Sequence, residues 1–402
     1  MLEIGNPGPK SKSEMPSTTT LAETRTWSET DRRLMERAIE LACRGVGQVS
    51  PGPLVGCVVT NSIGEVVGEG HYIYEEVMHA ETIALREAGK RARGGTAYVS
   101  LEPHAHQSRT APCTDALIAA GIKRVVAPIQ DLNPQVSGRG FIHLREAGVA
   151  VEVGLLADEA SQANEKYLHF MRTRLPFVHL KSAVSLDGKV ATKSGDSRWI
   201  TGQQARRRVH ELRHEYDAIM VGAGTAELDD PLLTDRSGLR RRRPLVRVVL
   251  DERLRLSPAS QLVRTAGEAP VILFTAEDAD ESKIDSLRTF GVEVINSGTR
   301  DLRAVLKILG KRAFQGLLIE GGPTLAGSFV DSGLINKVSF FVAPTIIGGA
   351  DAPGPVAGSG VEVVRHALKL RDVKTQQHGD DLEITGYPER IREEQNGSEA
   401  TD

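Results

Sequence analysis

The segment on which the fold turns runs Leu317-Leu318-Ile319-Glu320-Gly321-Gly322-Pro323-Thr324-Leu325-Ala326-Gly327. A short apolar run ends in two glycines and a proline, the order that carries a buried strand through a tight turn into the first turn of a helix. Backbone N–H groups at such a turn, together with the helix dipole, suit an anionic group, and the glycines let a phosphate approach closely. Val221-Gly222-Ala223-Gly224-Thr225 has the same character. Either segment alone would serve equally as a plain tight turn, and neither has the G-x-G-x-x-G spacing of a Rossmann domain.

Outward from these turns, β-branched and apolar runs predict strands over residues 178–182, 218–222, 245–251, 271–275, 317–319 and 338–342. Helices fall between several of them, the strongest over 203–216. This alternation is the α/β pattern. Nearer the N-terminus it occurs a second time. Ser28 caps a helix with Asp31 three residues on, and Leu34, Ala38, Leu41 and Ala42 fall on one face before Gly45 stops it. Residues 55–60 and 65–68 predict a hairpin about Asn61-Ser62-Ile63-Gly64. Then follow a helix over 79–88, a strand over 96–101, a helix over 113–120 and a strand over 124–127. At 402 residues the chain is long for one core, and we expect two domains, residues 28–172 and 177–388. Residues 1–27 and 390–402 are polar and expected to be disordered tails.

Composition narrows the partners. Lys+Arg 50 against Asp+Glu 53 leaves no excess positive field for nucleic acid or a membrane surface, so small molecules are expected. Arg240-Arg241-Arg242-Arg243 reads as a solvated loop ahead of a strand. No apolar run reaches 18 residues, and the three cysteines make no disulfide framework, which points to a reducing cytoplasm. Cys43 and Cys57 are expected in the core.

The sharpest chemistry lies in the first half. His79-Ala80-Glu81 opens one helix, Pro103-His104-Ala105-His106 follows, and Cys113 opens another helix. A zinc deaminase needs this layout: His and Cys hold Zn²⁺, which activates water, while a glutamate that is not a ligand moves the proton. With Val55-Gly56-Cys57-Val58-Val59, Gly68-Glu69-Gly70-His71, Leu101-Glu102-Pro103, Arg109 to Cys113 and Asn133-Pro134, residues 28–172 resemble the deaminase half of the bifunctional riboflavin-biosynthesis deaminase/reductase. The resemblance implies a cytidine-deaminase-like α/β/α domain with His79, His104 and Cys113 as metal ligands, Glu81 as the catalytic proton carrier and His106 framing the substrate. Two departures stand out. That family carries Pro-Cys-Ser-His where this chain has Pro103-His104-Ala105-His106, and Pro-Asn-Pro where it has Pro51-Gly52-Pro53. Imidazole is a sound Zn²⁺ ligand, so a working site and a vestigial domain kept only as structure both remain open.

The second half resembles the reductase half of the same family. The likeness rests on Lys181 to Lys189, Gly195 to Thr201, Val209-His210, Leu212-Arg213, Asp217 to Thr225, Asp229-Asp230-Pro231, Leu233-Thr234, Arg236 and Glu320 to Gly327. It implies a dihydrofolate-reductase-like α/β domain that uses NADPH. Ala183, Trp199, Thr225, Asp229 and Gly322, Pro323, Thr324, Leu325, Ala326, Gly327 and Ser328 would line the cofactor. Ser197, Arg213, Leu233, Arg236 and Glu320 would face the substrate, a pyrimidine ribosyl phosphate, with Arg213 and Arg236 forking its 5'-phosphate. Lys181 and Asp187 can be read as structural, and a homodimer or higher homo-oligomer is expected from the family.

Overall fold

A computed structural model describes residues 26–107 and 111–389. The expected tails lie outside it except for Thr26 and Trp27, as do Arg109 and Thr110. Trp27, expected in the N-terminal tail, packs against a core cluster.

The first sheet is built from α1 (Glu29–Cys43), β1 (Gly56–Thr60), β2 (Val66–His71), α2 (Ala80–Ala88), β3 (Thr96–Val99), α3 (Cys113–Ala119), β4 (Arg124–Ala127), α4 (Arg139–Glu146) and β5 (Ala150–Val153). Strand order is β2-β1-β3-β4-β5, with β1 antiparallel to both neighbours and the β3-β4-β5 side parallel. Side chains alternate faces along a strand. Cys57 and Val59 pack with Ala84, Leu117 and Leu144, whereas Val58 packs on the opposite face with Met35 and Leu41 of α1. Three layers result. Ser28 and Asp31 form the predicted capping box, and the Asp31 carboxylate also accepts from Tyr98 at 2.7 Å and Arg124 at 2.6 Å, pinning α1 across the sheet. Cys43, placed in the core by its spacing, is the last residue of α1 and is exposed.

After α5 (Ala157–Ala163) and α6 (Glu165–Thr173), the chain forms a sheet of nine strands. Its elements are β6 (Phe177–Ser185), α7 (Gln203–Glu215), β7 (Ala218–Gly222), α8 (Ala223–Asp229), β8 (Val246–Leu250), α9 (Gln261–Arg264), β9 (Val271–Thr275), α10 (Glu281–Thr289), β10 (Glu293–Asn296), α11 (Leu302–Lys311), β11 (Gly316–Ile319), α12 (Pro323–Asp331), β12 (Lys337–Ala343), β13 (Leu370–His378) and β14 (Asp381–Pro388). The order β10-β9-β8-β7-β11-β6-β12-β14-β13 is parallel from β10 to β12, and the last hairpin joins antiparallel. Ile219, Val221, Val249 and Leu273 are buried on one face, Met220, Val248, Leu317 and Ile319 on the other. The carboxyl ends of β6, β7, β8 and β11 therefore point the same way, the edge at which open α/β sheets bind ligands.

The arginine run is not the solvated loop expected of it. Arg241 donates to the carbonyls of Arg213, His214, Tyr216 and Arg243, Arg243 donates to those of Ala313 and Arg312, and Arg242 reaches Ser50 in the first half of the chain. Free carbonyls at chain turns are strong acceptors, and this loop lies beside several of them.

Candidate active sites

In the first half, two helix starts converge on one point. A Cβ on Gly70 would sit 2.3 Å from the Ala80 carbonyl oxygen, so β2 can approach the start of α2 this closely only because residue 70 is glycine. That approach sets His79 at the N-cap of α2 and Glu81 in its first turn, 3% exposed. Cys113 is the first residue of α3. The loop holding His104 is fixed from both sides. Thr114 donates from its backbone N–H to the His104 carbonyl at 3.3 Å, and the Glu102 carboxylate accepts from Gly138 and Gly140 at 2.9 Å and from Asp131 at 3.1 Å.

As a result, one ligand atom each from His79, His104 and Cys113 lies within 4.8 Å of the others. The His79 and His104 rings stack at 4.5 Å, and His106 meets His104 edge-on at 5.1 Å. Burial and the neighbouring histidines hold His104 down at about 4, and burial lowers His79 as well, so both imidazoles are neutral at pH 7 and able to ligate. Burial raises the Glu81 carboxyl, which suits a group that must carry a proton. The His104 Nε2 and one Glu81 oxygen are buried with no hydrogen-bond partner, the condition expected of groups arranged around a cation and a substrate. The donor set therefore fits Zn²⁺ with one position open. Gly52 faces no gap: a Cβ there would lie 3.0 Å from Tyr72 Cε1 and 3.6 Å from Tyr74 Cδ2.

In the second half, a cavity of about 1340 Å³ opens along the carboxyl ends of β6, β7, β8 and β11. Of the residues expected to line the cofactor, Ala183, Trp199, Thr225, Asp229, Gly322, Pro323, Thr324, Leu325 and Ser328 border it. Ser197, Arg213, Arg236 and Glu320, expected on the substrate side, border it too. The two glycine turns meet, since a Cβ on Gly322 would lie 3.0 Å from Thr225 Oγ1. Three of the expected residues do not border the cavity. Leu233 and Ala326 are buried in the apolar cores, and Gly327 packs against the Ala357 carbonyl instead of the cavity. Successive positions of a helix turn by about 100° around its axis, so a continuous run from Gly322 to Ser328 cannot all point at one ligand.

At the cavity floor Glu320 is gripped by Arg213 through Nε at 2.8 Å and Nη2 at 3.0 Å, with Lys181 Nζ 3.6 Å away. Burial alone would raise the Glu320 carboxyl, but Arg213 and Lys181 outweigh it and hold it at about 2. Lys181, which could be read as structural, is thus a cavity residue, and burial lowers its ammonium pKa. Arg213 has its fork occupied by this carboxylate and its Nη1 by the Thr234 carbonyl, whereas no side-chain partner holds the exposed Arg236 among the described residues. His210, one turn before Arg213 on α7, also borders the cavity with a buried, unpartnered Nδ1, and burial together with Arg213 and Arg236 lowers its pKa. The motif Val209-His210 contained it, but nothing in the spacing marked it. Arg253, Arg255 and Arg300 also border the cavity, and the sequence carried no signal for them.

A deaminase-type metal cluster and a reductase-type dinucleotide cleft thus stand in one chain, which defines the class as a two-site enzyme. Residues 28–128 match the cytidine and deoxycytidylate deaminase zinc-binding region, and residues 176–384 match the RibD C-terminal domain. Riboflavin biosynthesis protein RibD of Actinobacillus pleuropneumoniae is 42% identical over 88% of this chain and 94% of its own. That of Escherichia coli is 41% identical over 88% and 98%. The solved structure of Acinetobacter baumannii RibD superposes with a TM-score of 0.81 at 36% identity, covering 90% of this chain and 99% of that one. A Thermotoga maritima diaminohydroxyphosphoribosylaminopyrimidine deaminase/5-amino-6-(5-phosphoribosylamino)uracil reductase gives 0.79 at 35%, covering 89% and 99%. The chain belongs to the RibD family of bifunctional riboflavin-biosynthesis deaminase/reductases, whose cofactors are Zn²⁺ and NADPH. No helix among the described residues is long and apolar enough to cross a membrane.

Proposed function

We propose that residues 28–172 deaminate a 2,5-diamino-6-(ribosylamino)pyrimidin-4-one 5'-phosphate and that residues 177–388 reduce the deaminated ribosyl group to ribityl. The product is 5-amino-6-(ribitylamino)uracil 5'-phosphate. The observation that carries this reading is the convergence of His79, His104 and Cys113 around a buried Glu81 with one unpartnered oxygen, in a chain that also forms the glycine-lined cleft. Zn²⁺ held by the three ligands supplies the Lewis acidity that activates water. Glu81, kept protonatable by burial, carries the proton between that water and the leaving amine. In the second site NADPH supplies hydride to the first carbon of the opened sugar. There the glycine turns at Gly322 and Thr225 receive the cofactor's phosphates, Arg236 receives the substrate's 5'-phosphate, and the walls exclude water.

Two further points belong to the same proposal. The enzyme works in the reducing cytoplasm, consistent with free thiols at Cys43, Cys57 and Cys113. It forms a homodimer through the reductase half, where β13 is an edge strand and Ile346, Val364 and Val373 are exposed.

The test is zinc analysis and ammonia release from the diaminopyrimidine substrate, on the wild type and on His104→Ala and His104→Cys. Stoichiometric zinc and ammonia in the wild type, both lost in His104→Ala and kept in His104→Cys, are expected. Absence of both from the wild type, with NADPH oxidation intact on the deaminated substrate, would leave a reductase carrying a vestigial deaminase domain.

A further inference from the structure

The segment from Val46 to Pro53 joins α1 to β1 and faces Tyr72, whose ring neighbours the metal ligand His79, yet its main chain is held largely from the other half of the protein. Its Val46 carbonyl meets His214 Nε2 at 3.3 Å, Gly47 accepts from the Arg242 backbone N–H at 3.0 Å, Ser50 accepts from the Arg242 guanidinium, and Pro51 accepts from Gln315 Nε2 at 2.6 Å. Gly47 is required here on two counts. Its φ is +72°, and a Cβ would sit 2.3 Å from His214 Nε2. The Arg242 guanidinium carbon also lies 3.9 Å from the Tyr74 ring centroid. Tyr74 meets Tyr72 at 6.1 Å, both rings face Gly52, and Tyr72 lies 5.1 Å from the His79 ring. A continuous line of packed groups therefore runs from Arg242 to a metal ligand.

We propose that Arg242 and Gln315, residues of the reductase half, are positioning residues for the deaminase: they set the 46–53 segment and the Tyr72–Tyr74 wall against which the pyrimidine is placed. The inference rests on the deaminase proposed above. Neither residue borders the reductase cavity. Their removal acts on substrate placement, not on metal binding or hydride transfer.

The experiment measures deaminase kcat and KM by ammonia release, reductase kinetics by NADPH oxidation and zinc content, on full-length Arg242→Ala, Arg242→Lys and Gln315→Ala. Loss of a charged donor from a half-buried carbonyl predicts a deaminase KM about tenfold higher in Arg242→Ala, and loss of a neutral donor about threefold higher in Gln315→Ala. Zinc content, deaminase kcat and reductase kinetics stay within about twofold, and Arg242→Lys recovers part of the KM effect by keeping the charge over Tyr74. A residue that merely holds the fold together would lower both activities together and leave KM unmoved, and that result overturns the inference. So does a KM within about twofold of wild type in Arg242→Ala, or in Gln315→Ala should Arg242→Ala fail to fold. A zinc-replete wild type that releases no ammonia refutes the two-activity reading instead. Hydrogen exchange at the amides of residues 47–52 then decides this inference: Arg242→Ala must speed it about tenfold, and unchanged exchange overturns the claim.

Discussion

The triad of Glu320, Arg213 and Lys181 gives a stability prediction whose size can be worked out. A carboxyl held at about 2 against an ordinary 4.5 is ionised more favourably in the folded chain, by about 3 kcal/mol. Because the folded value is the depressed one, this stabilisation is complete above about pH 5 and drains away as the pH falls toward 2. At pH 3 about 1.4 kcal/mol of it remains. Glu320→Gln keeps the side-chain shape and removes the charge, leaving two buried cations without their anion. Breaking a buried pair in this way costs about 3–5 kcal/mol, in line with the linkage figure. For a unit of about 200 residues this is a fall in Tm of roughly 6–20 °C at pH 7. The assay is urea denaturation of wild type and variant at several pH values between 3 and 7. The gap between the two proteins should shrink by about half or more from pH 7 to pH 3. A gap that stays constant over that range refutes the assignment of Glu320 as an ionised, doubly paired carboxylate.

Two further predictions address individual positions. Gly52→Asn, which supplies the side chain that the family resemblance implies here, should raise deaminase KM and destabilise the first half by about 1–3 kcal/mol, because a Cβ at this position already lies 3.0 Å from Tyr72 Cε1. Steady-state ammonia release and thermal melting check this, and improved activity would show that the Tyr72 wall yields. Arg236→Ala should raise the reductase KM for its phosphorylated substrate about tenfold with little change in kcat, since a phosphate grip acts equally on ground and transition states. An unchanged KM would return the phosphate to Arg213.

The local half of this structure was readable from the chain, and the non-local half was not. Strands such as Val271–Thr275 and Ala218–Gly222 announce themselves through β-branched, apolar runs, and His79, Glu81 and Cys113 through their place at helix starts. The turn read at Asp187-Gly188 is local in the bond Asp187 accepts from Ser185 Oγ at 2.6 Å, whereas the bonds it accepts from the Ile347 and Gly348 backbone span 160 and 161 residues. By contrast, β13 is exposed along nearly its whole length and shows no alternation to read. The arginine run could not be interpreted from its own neighbours, because the Ser50 carbonyl bound by Arg242 is 192 residues away. Lys181 likewise becomes a site residue only once β6 and β11 pair and bring Glu320 beside it.

The joint between the two halves grips carbonyl oxygens of the 46–51 stretch and ignores its side chains. Every non-proline or proline residue offers the same oxygen, so the clasp survives most changes of residue type along the stretch, Gly47 excepted. Such a fastening ties the strap down by main chain alone, so the constraint on the residue at 52 comes from Tyr72 and Tyr74 and not from the joint.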